Sequence, residues 1–161
     1  MTKKRYEDCP SYDNNYIIQL LDNYRNHPAI LLFPNVHFYD SKLRAKAPHQ
    51  NGGEFPIVFH CIKKPSKIEF KGTSSYNDTE VIIVKKYVDD LLRKGFKQLD
   101  IGIISPYKAQ LSKLRKILGE LKDIETGTAE YYQGREKIVI IISTVKSRSS
   151  VGFLKSEKVR F

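Results

Sequence analysis

Two short polar segments carry the side chains best suited to chemistry. One is a turn that combines an amide, a guanidinium and a carboxylate with a permissive glycine, and it consists of Gln133, Gly134, Arg135 and Glu136. The other is the aromatic–guanidinium pair Tyr24-Arg25. A guanidinium can grip a phosphate with two hydrogen bonds, an aromatic ring can stack on a base, and a carboxylate suits ribose hydroxyls. Both segments therefore predict nucleotide contacts, with a salt-bridged arginine or a charged surface turn as the alternatives.

Alternating strand and helix signals surround these segments. Five consecutive β-branched residues, Ile138 to Ile142, predict a strand buried on both faces, as in a parallel sheet. Strands are predicted over residues 16–21, 57–62, 101–104, 124–128 and 137–143, helices over 28–39, 78–94 and from Pro106 onward, and loops over 44–56 and 63–76. This alternation indicates βαβ units, a parallel sheet and right-handed crossovers.

Local signals set the ends of the helices. Pro34 predicts a kink or an early end in the first helix. The second helix is predicted to begin with a capping box of Asn77 and Glu80 and to end at a left-handed Gly95. Ser105 is predicted to cap the third helix with Pro106 at its first position. The apolar stripe of that helix is Tyr107, Leu111, Leu114, Leu118 and Leu121.

Polar residues follow several predicted strands at their carboxyl ends, where parallel sheets bind ligands. These are residues 23–25, 105–107 and 143–144. Thr128 and Thr144 carry hydroxyls that suit nucleic-acid phosphates, although threonines are also common in strands. Tyr131 and Tyr132 are predicted to pack against the protein rather than to stack on bases.

The charge of the chain is its main compositional feature. Twenty-eight lysines and arginines against 18 acidic residues give a net charge of +10. Such an excess is typical of proteins that bind polyanions, with nucleic acid first among them. A basic protein without such a partner is the alternative.

Other classes of protein lack their signatures in this sequence. The 161 residues predict one globular domain with two free thiols, no secretory signal, and no apolar run near the roughly 20 residues that span a bilayer. Residues 71–74 have the wrong order for a phosphate loop, and no metal-protease or serine-hydrolase motif is present. The chain thus has no complete catalytic constellation.

Five ordered motifs are specific as a set: Tyr-Arg-x-His-Pro-Ala (24–29), Pro-Asn-x-x-Phe-Tyr (34–39), Ile-Gly-Ile-Ile-Ser-Pro-Tyr-Lys-x-Gln (101–110), Gly-Thr-x-Glu-x-x-Gln-Gly-x-Glu (127–136) and Ile-Ile-Ile-Ser-Thr-Val (140–145). Their order resembles the second RecA-like domain of superfamily 1B RNA helicases of the up-frameshift-1 type, in particular the Moloney-leukaemia-virus-10/Armitage branch. The resemblance covers residues 16–161, after an N-terminal extension over 1–15. It implies an α/β, P-loop-NTPase-type fold with helices on both faces of a parallel sheet and no phosphate loop of its own.

The resemblance also implies roles for individual residues. Tyr24 matches a tyrosine that packs on the nucleotide, and Arg25 a catalytic arginine that reaches the terminal phosphate. Gln133, Gly134 and Glu136 match a nucleotide motif whose glutamate contacts the ribose, while Arg135 occupies its variable position and assists only electrostatically. RNA-side positions are implied for Ser105, Pro106, Tyr107 and Thr128.

The chain departs from the pattern in two respects. The family continues into a motif with a second arginine finger, whereas this sequence stops at Phe161. The first RecA-like domain, with the phosphate loop and the residues that hold Mg²⁺, is absent. We therefore expect a fragment that hydrolyses no ATP by itself.

As part of a longer enzyme, the fragment is expected to couple hydrolysis of ATP with Mg²⁺ to 5′-to-3′ movement on single-stranded RNA. Its expected partners are the first RecA-like domain and small-RNA silencing proteins. We expect it to act in piRNA silencing and to be located in cytoplasmic ribonucleoprotein granules. The alternative is a non-enzymatic, basic α/β module for RNA binding or protein docking.

Overall fold

The computed structural model of the chain describes residues 19–48, 55–68 and 74–146. Two compact units are present, one ending at Phe59 and one beginning at His60. The first contains β1 (Asp22–Asn23), α1 (Pro28–Phe38) and β2 (Arg44–Ala45). The second contains β3 (Lys67–Ile68), β4 (Ser75–Tyr76), α2 (Asp78–Arg93), β5 (Ile101–Ile104), α3 (Lys108–Leu118), β6 (Glu125–Gly127) and β7 (Val139–Ile142).

In the first unit, β1 and β2 pair in parallel, and α1 lies between them in the chain. The ion pair between Arg44 Nε and Asp22 Oδ1, 2.6 Å apart, joins the two strands. The side chain of Asn35 binds both backbone groups of Leu43, accepting from its N–H at 2.8 Å and donating to its carbonyl at 2.9 Å. Asn35 thus connects the end of α1 to the start of β2.

Two predictions for this unit need correction. The helix continues four residues beyond Pro34 to Phe38, so an early end is wrong. The backbone bond from Tyr39 N–H to Asn35 O maintains its last turn. The strand predicted over 16–21 is absent from its described part, residues 19–21, since pairing with β2 begins at Asp22.

The second unit is built on a parallel sheet with the strand order β6-β5-β7. Its core joins α2 and α3 to the face of β5 that carries Ile101 and Ile103, both fully buried. The predicted α/β class with a parallel sheet is therefore confirmed. The described α-helices α2 and α3 pack on that face. On the other face of β5, Gly102 lies beside Tyr132 and Lys137, which belong to the segment before β7.

Several predicted elements of this unit are confirmed. Asn77 Oδ1 accepts from the N–H groups of Thr79 and Glu80 and so caps α2. Gly95 follows the helix with a φ of +94°. The predicted stripe of α3 faces the core, since Leu114 is fully buried and Leu121 packs on the cluster at its end. None of the helices in the described ranges is long and apolar enough to cross a membrane.

The predicted start of α3 is wrong, because the helix begins at Lys108. Ser105 instead extends the sheet, with its N–H donating to Gly127 O at 3.1 Å. The first turn of α3 is completed from a distant part of the chain, since Ala109 N–H donates to Ser74 Oγ at 3.0 Å. The capping box also fails on one side, because Asn77 N–H bonds Gln110 Oε1 rather than Glu80.

Two strand predictions differ from the structure. Residues 57–62 form no strand and pair with none of the described strands; the side chain of Phe59 is 94% exposed. In β7, Ile140 and Ile142 are exposed on one face, and Ile138, just before the strand, is also exposed. The exposure of these isoleucines shows that the predicted burial on both faces is wrong. Within the described sheet β7 is an edge strand that pairs with β5 alone.

Candidate nucleic-acid interface

The carboxyl ends of β5, β6 and β7 meet at one edge of the sheet, which we call the carboxyl edge and define by Ser105–Tyr107, Thr128 and Ser143–Lys146. Parallel pairing sets this arrangement, and two further bonds extend it past the strands. Ser105 N–H donates to Gly127 O at 3.1 Å, and Ser143 N–H donates to Ile104 O at 2.9 Å. The structure therefore brings together all the residues predicted to contact RNA.

These residues differ in their access to solvent. Thr144 is exposed, and Pro106 and Thr128 are half-buried. Ser105 and Tyr107 are buried, so their side chains support the edge instead of facing an RNA. The hydroxyl of Thr144 is thus the most accessible of the predicted phosphate contacts.

A cation lies beside these groups. Lys146 Nζ is 5.9 Å from the centre of the Tyr107 ring, within the range of a cation–π interaction. Burial raises the pKa of the Tyr107 hydroxyl above its usual value. The edge therefore presents a lysine and a threonine hydroxyl, the usual combination for binding a phosphate backbone.

A buried polar cluster, formed by Asn77, Glu80, Gln110 and Ser143, lies under this edge. Gln110 Nε2 donates to Ser143 Oγ at 2.9 Å, and Ser143 Oγ donates to Glu80 Oε2 at 2.6 Å. We did not predict this cluster from the sequence. The only signals were indirect: Gln110 closes the Ser-Pro-Tyr-Lys-x-Gln motif, and Glu80 occupies the capping-box position.

The turn at residues 133–136 lies away from the carboxyl edge. Its four side chains are exposed, and Gly134 adopts a φ of +77°, which favours glycine. Beside it, Lys137 Nζ donates to Leu99 O at 2.8 Å and lies 3.0 Å from Glu125 Oε1, which ties the turn to the amino ends of β5 and β6. The predicted nucleotide and RNA residues of this unit therefore occupy opposite ends of the sheet.

Arg135 has partners inside the protein. Its Nη1 lies 3.5 Å from Glu125 Oε2, and its guanidinium lies 4.4 Å from the centre of the Tyr131 ring. These contacts, with the exposure of all four residues, fit the alternative that the sequence left open for this segment, a charged surface turn. A nucleotide contact by Arg135 would require it to leave both.

Tyr132 packs against the sheet. It is 8% exposed, and its hydroxyl donates to Glu125 O at 2.7 Å. Burial is the main cause that raises the pKa of Tyr132 to about 12. Packing rather than base stacking is thus confirmed for Tyr132, whereas Tyr131 is 44% exposed.

Tyr24 and Arg25 belong to the first unit, in the turn between β1 and α1. Asn23 Oδ1 accepts hydrogen bonds from the N–H groups of Arg25 at 3.1 Å and Asn26 at 2.8 Å. This turn, closed by the Asn23 side chain, fixes the backbone, while the side chains of Tyr24 and Arg25 remain exposed. The side chain of Tyr24 is 71% exposed. Such a geometry suits a ring that stacks on a nucleotide and a guanidinium that reaches a phosphate.

The described ranges contain no group of three or more His, Cys, Asp or Glu side chains that could hold a metal ion. The exposed Arg25 supplies positive charge, and the exposed Tyr24 supplies a stacking surface. These residues fit a nucleotide's base and phosphates better than a metal ion.

Comparison with known proteins identifies relatives for almost the whole chain. The family described as the AAA domain matches residues 3–160. The putative helicase mov-10-B.1 of Danio rerio is 34% identical over 91% of this chain, and the RNA helicase Mov10l1 of Homo sapiens is 33% identical over 93%. The helicase SEN1 of Saccharomyces cerevisiae is 38% identical over 84% of this chain.

The chain is short beside these relatives. It spans 18% of the length of the fish protein, 14% of the human protein and 7% of the yeast protein. All three are named helicases. The similarity therefore concerns one segment of much longer proteins.

Proposed function

Because the chain belongs to the AAA-domain family, among superfamily 1 helicases of the up-frameshift-1 type, we propose that it is the second RecA-like domain of an ATP-dependent RNA helicase. The observation that carries this proposal is the carboxyl edge. Three strand ends bring Thr128, Thr144 and Lys146 together on a domain of net charge +10. An exposed hydroxyl and a cation at one edge suit an RNA backbone.

In the complete enzyme, ATP lies between this domain and a first RecA-like domain that holds its phosphates and Mg²⁺. Bound ATP supplies the energy-yielding phosphoryl transfer. Tyr24 packs on the nucleotide, and Arg25 directs its guanidinium at the terminal phosphate. A preorganised positive charge at this point stabilises the charge that develops in the transition state.

The turn at residues 133–136 contributes on the nucleotide side through Gln133, Gly134 and Glu136, whose carboxylate accepts bonds from ribose hydroxyls. Arg135 has a smaller role. Its ion pair with Glu125 and its contact with Tyr131 already occupy the guanidinium.

Closing and opening of the two domains moves single-stranded RNA along the carboxyl edge, with 5′-to-3′ polarity. The similarity to a protein named RNA helicase Mov10l1 supports RNA as the substrate. We extend the proposal to piRNA silencing, with small-RNA silencing proteins as partners and cytoplasmic ribonucleoprotein granules as the location.

Binding of single-stranded RNA by the 161-residue chain tests this function. We expect weak binding whose affinity falls steeply with salt, because each neutralised phosphate contributes about 0.7 to the slope of log affinity against log salt concentration. Lys146→Ala is expected to lower that slope by about one such contact. Fluorescence anisotropy of a labelled oligouridylate between 50 and 200 mM salt measures both effects.

Lys97→Ala is the matched control, since it removes the same charge from an exposed position before the amino end of β5. It should leave the slope near that of the wild type. An affinity that does not change with salt, or an equal loss in the two variants, would contradict RNA binding at the carboxyl edge.

A further inference from the structure

A buried carboxylate binds the residues on both sides of Thr144. Glu80 Oε2 accepts from Ser143 Oγ at 2.6 Å and from Val145 N–H at 3.0 Å. Glu80, Ser143 and Val145 are 7%, 2% and 0% exposed, whereas Thr144 between them is exposed. One oxygen atom thus fixes both neighbours of the residue that faces solvent.

The backbone at this point is strained. Val145 has a φ of +68°, and Lys146 N–H donates to Thr144 O at 2.7 Å, closing a three-residue γ-turn of the rare kind. A β-branched residue in this conformation is a clear outlier, and it persists only where its surroundings enforce it. The bond from Val145 N–H to Glu80 provides that constraint.

A carboxylate is a costly way to fill a core. Apolar residues of similar volume stabilise a buried position at least as well, because a charge must first lose its hydration. Glu80 also shares Ser143 with Gln110, whose Nε2 donates to the same hydroxyl. The cluster therefore connects both core helices to the residues that flank Thr144.

We propose that Glu80 is a positioning residue, which acts through Ser143 and Val145 to hold Thr144 in place for contact with a phosphate of single-stranded RNA. The proposal rests on the RNA-binding function proposed above. Glu80 itself is buried under the edge, so it acts only through its two partners.

A double-mutant cycle in the 161-residue chain tests this role. We expect Thr144→Ala and Ser143→Ala each to weaken binding of the labelled oligouridylate about tenfold at low salt, the loss of one hydrogen bond to a charged group. If Ser143 acts through Thr144, Ser143→Ala has no further effect in the Thr144→Ala chain. Glu80→Ala should match Ser143→Ala, while Glu80→Gln, which retains one acceptor oxygen, should lose less than threefold.

Thermal unfolding of each variant, with affinity measured well below its melting temperature, separates positioning from stability. If Glu80→Ala does not fold, the double-mutant cycle of Ser143 and Thr144 still tests whether Ser143 acts through Thr144. Additive losses, or a lower melting temperature with unchanged affinity, would overturn the proposal while leaving RNA binding by the domain intact. A wild-type chain that does not bind RNA would instead overturn the proposed function, and this inference with it.

Discussion

Arg25→Ala in the complete enzyme is expected to lower ATP turnover about 10²–10⁴-fold while leaving RNA binding without nucleotide nearly unchanged. Arg25 lies in an exposed turn whose backbone is fixed by Asn23 Oδ1. Its side chain is exposed to solvent, so its guanidinium can reach a phosphate group. Removal of one preorganised charge of this kind costs about 3–5 kcal/mol.

Single-turnover hydrolysis and thermal unfolding, measured side by side, check this prediction. Arg25→Lys should restore only part of the activity, because an ammonium lacks the planar two-pronged donor. Arg44→Ala is the matched control, since Arg44 pairs with Asp22 within the same unit and should affect stability alone. A destabilised Arg25→Ala enzyme with normal activity per folded molecule would remove Arg25 from the nucleotide site.

Gly102→Ala is expected to destabilise the second unit by about 2–3 kcal/mol. A Cβ on Gly102 would lie 2.6 Å from Tyr132 Oη and 2.9 Å from both Ile140 Cδ1 and Lys137 Cγ. The Tyr132 hydroxyl cannot retreat freely because it donates to Glu125 O at 2.7 Å. This clash outweighs the roughly 0.5–1 kcal/mol that alanine normally gains over glycine in a strand.

Denaturant unfolding of a double-mutant cycle identifies the cause. Tyr132→Phe alone should cost about 1 kcal/mol, the value of its hydrogen bond. The double mutant should cost less than the sum of the two, since the atom nearest to the new Cβ is gone. Additive costs, or a stabilised Gly102→Ala chain, would show that Tyr132 does not restrict this position.

The sequence predicted the elements whose signals are local. The Asn77 cap, the left-handed Gly95 and the stripe containing Leu114 each depend on a few neighbouring residues, and all three are confirmed. The predictions were wrong where a residue distant in the sequence determines the local structure. Ser74 bonds the first turn of α3 from 35 positions away, and the edge position of β7 depends on which strands pair.

The same distinction applies to the candidate site. Because parallel strands share one carboxyl edge, Thr128 and Thr144 could be predicted to lie at the same end of the sheet. The contact of Glu80 with Val145 could not, since it joins residues 65 positions apart through a turn that no local pattern indicates.

RNA-stimulated ATP hydrolysis tests the central claim most directly, measured on the 161-residue chain alone and on a complete enzyme that joins it to a phosphate-loop domain. We predict no hydrolysis by the chain alone and RNA-stimulated hydrolysis by the complete enzyme, lost with Arg25→Ala. RNA-stimulated turnover by the purified chain alone, unchanged by Arg25→Ala, would contradict its assignment as the second half of a helicase motor.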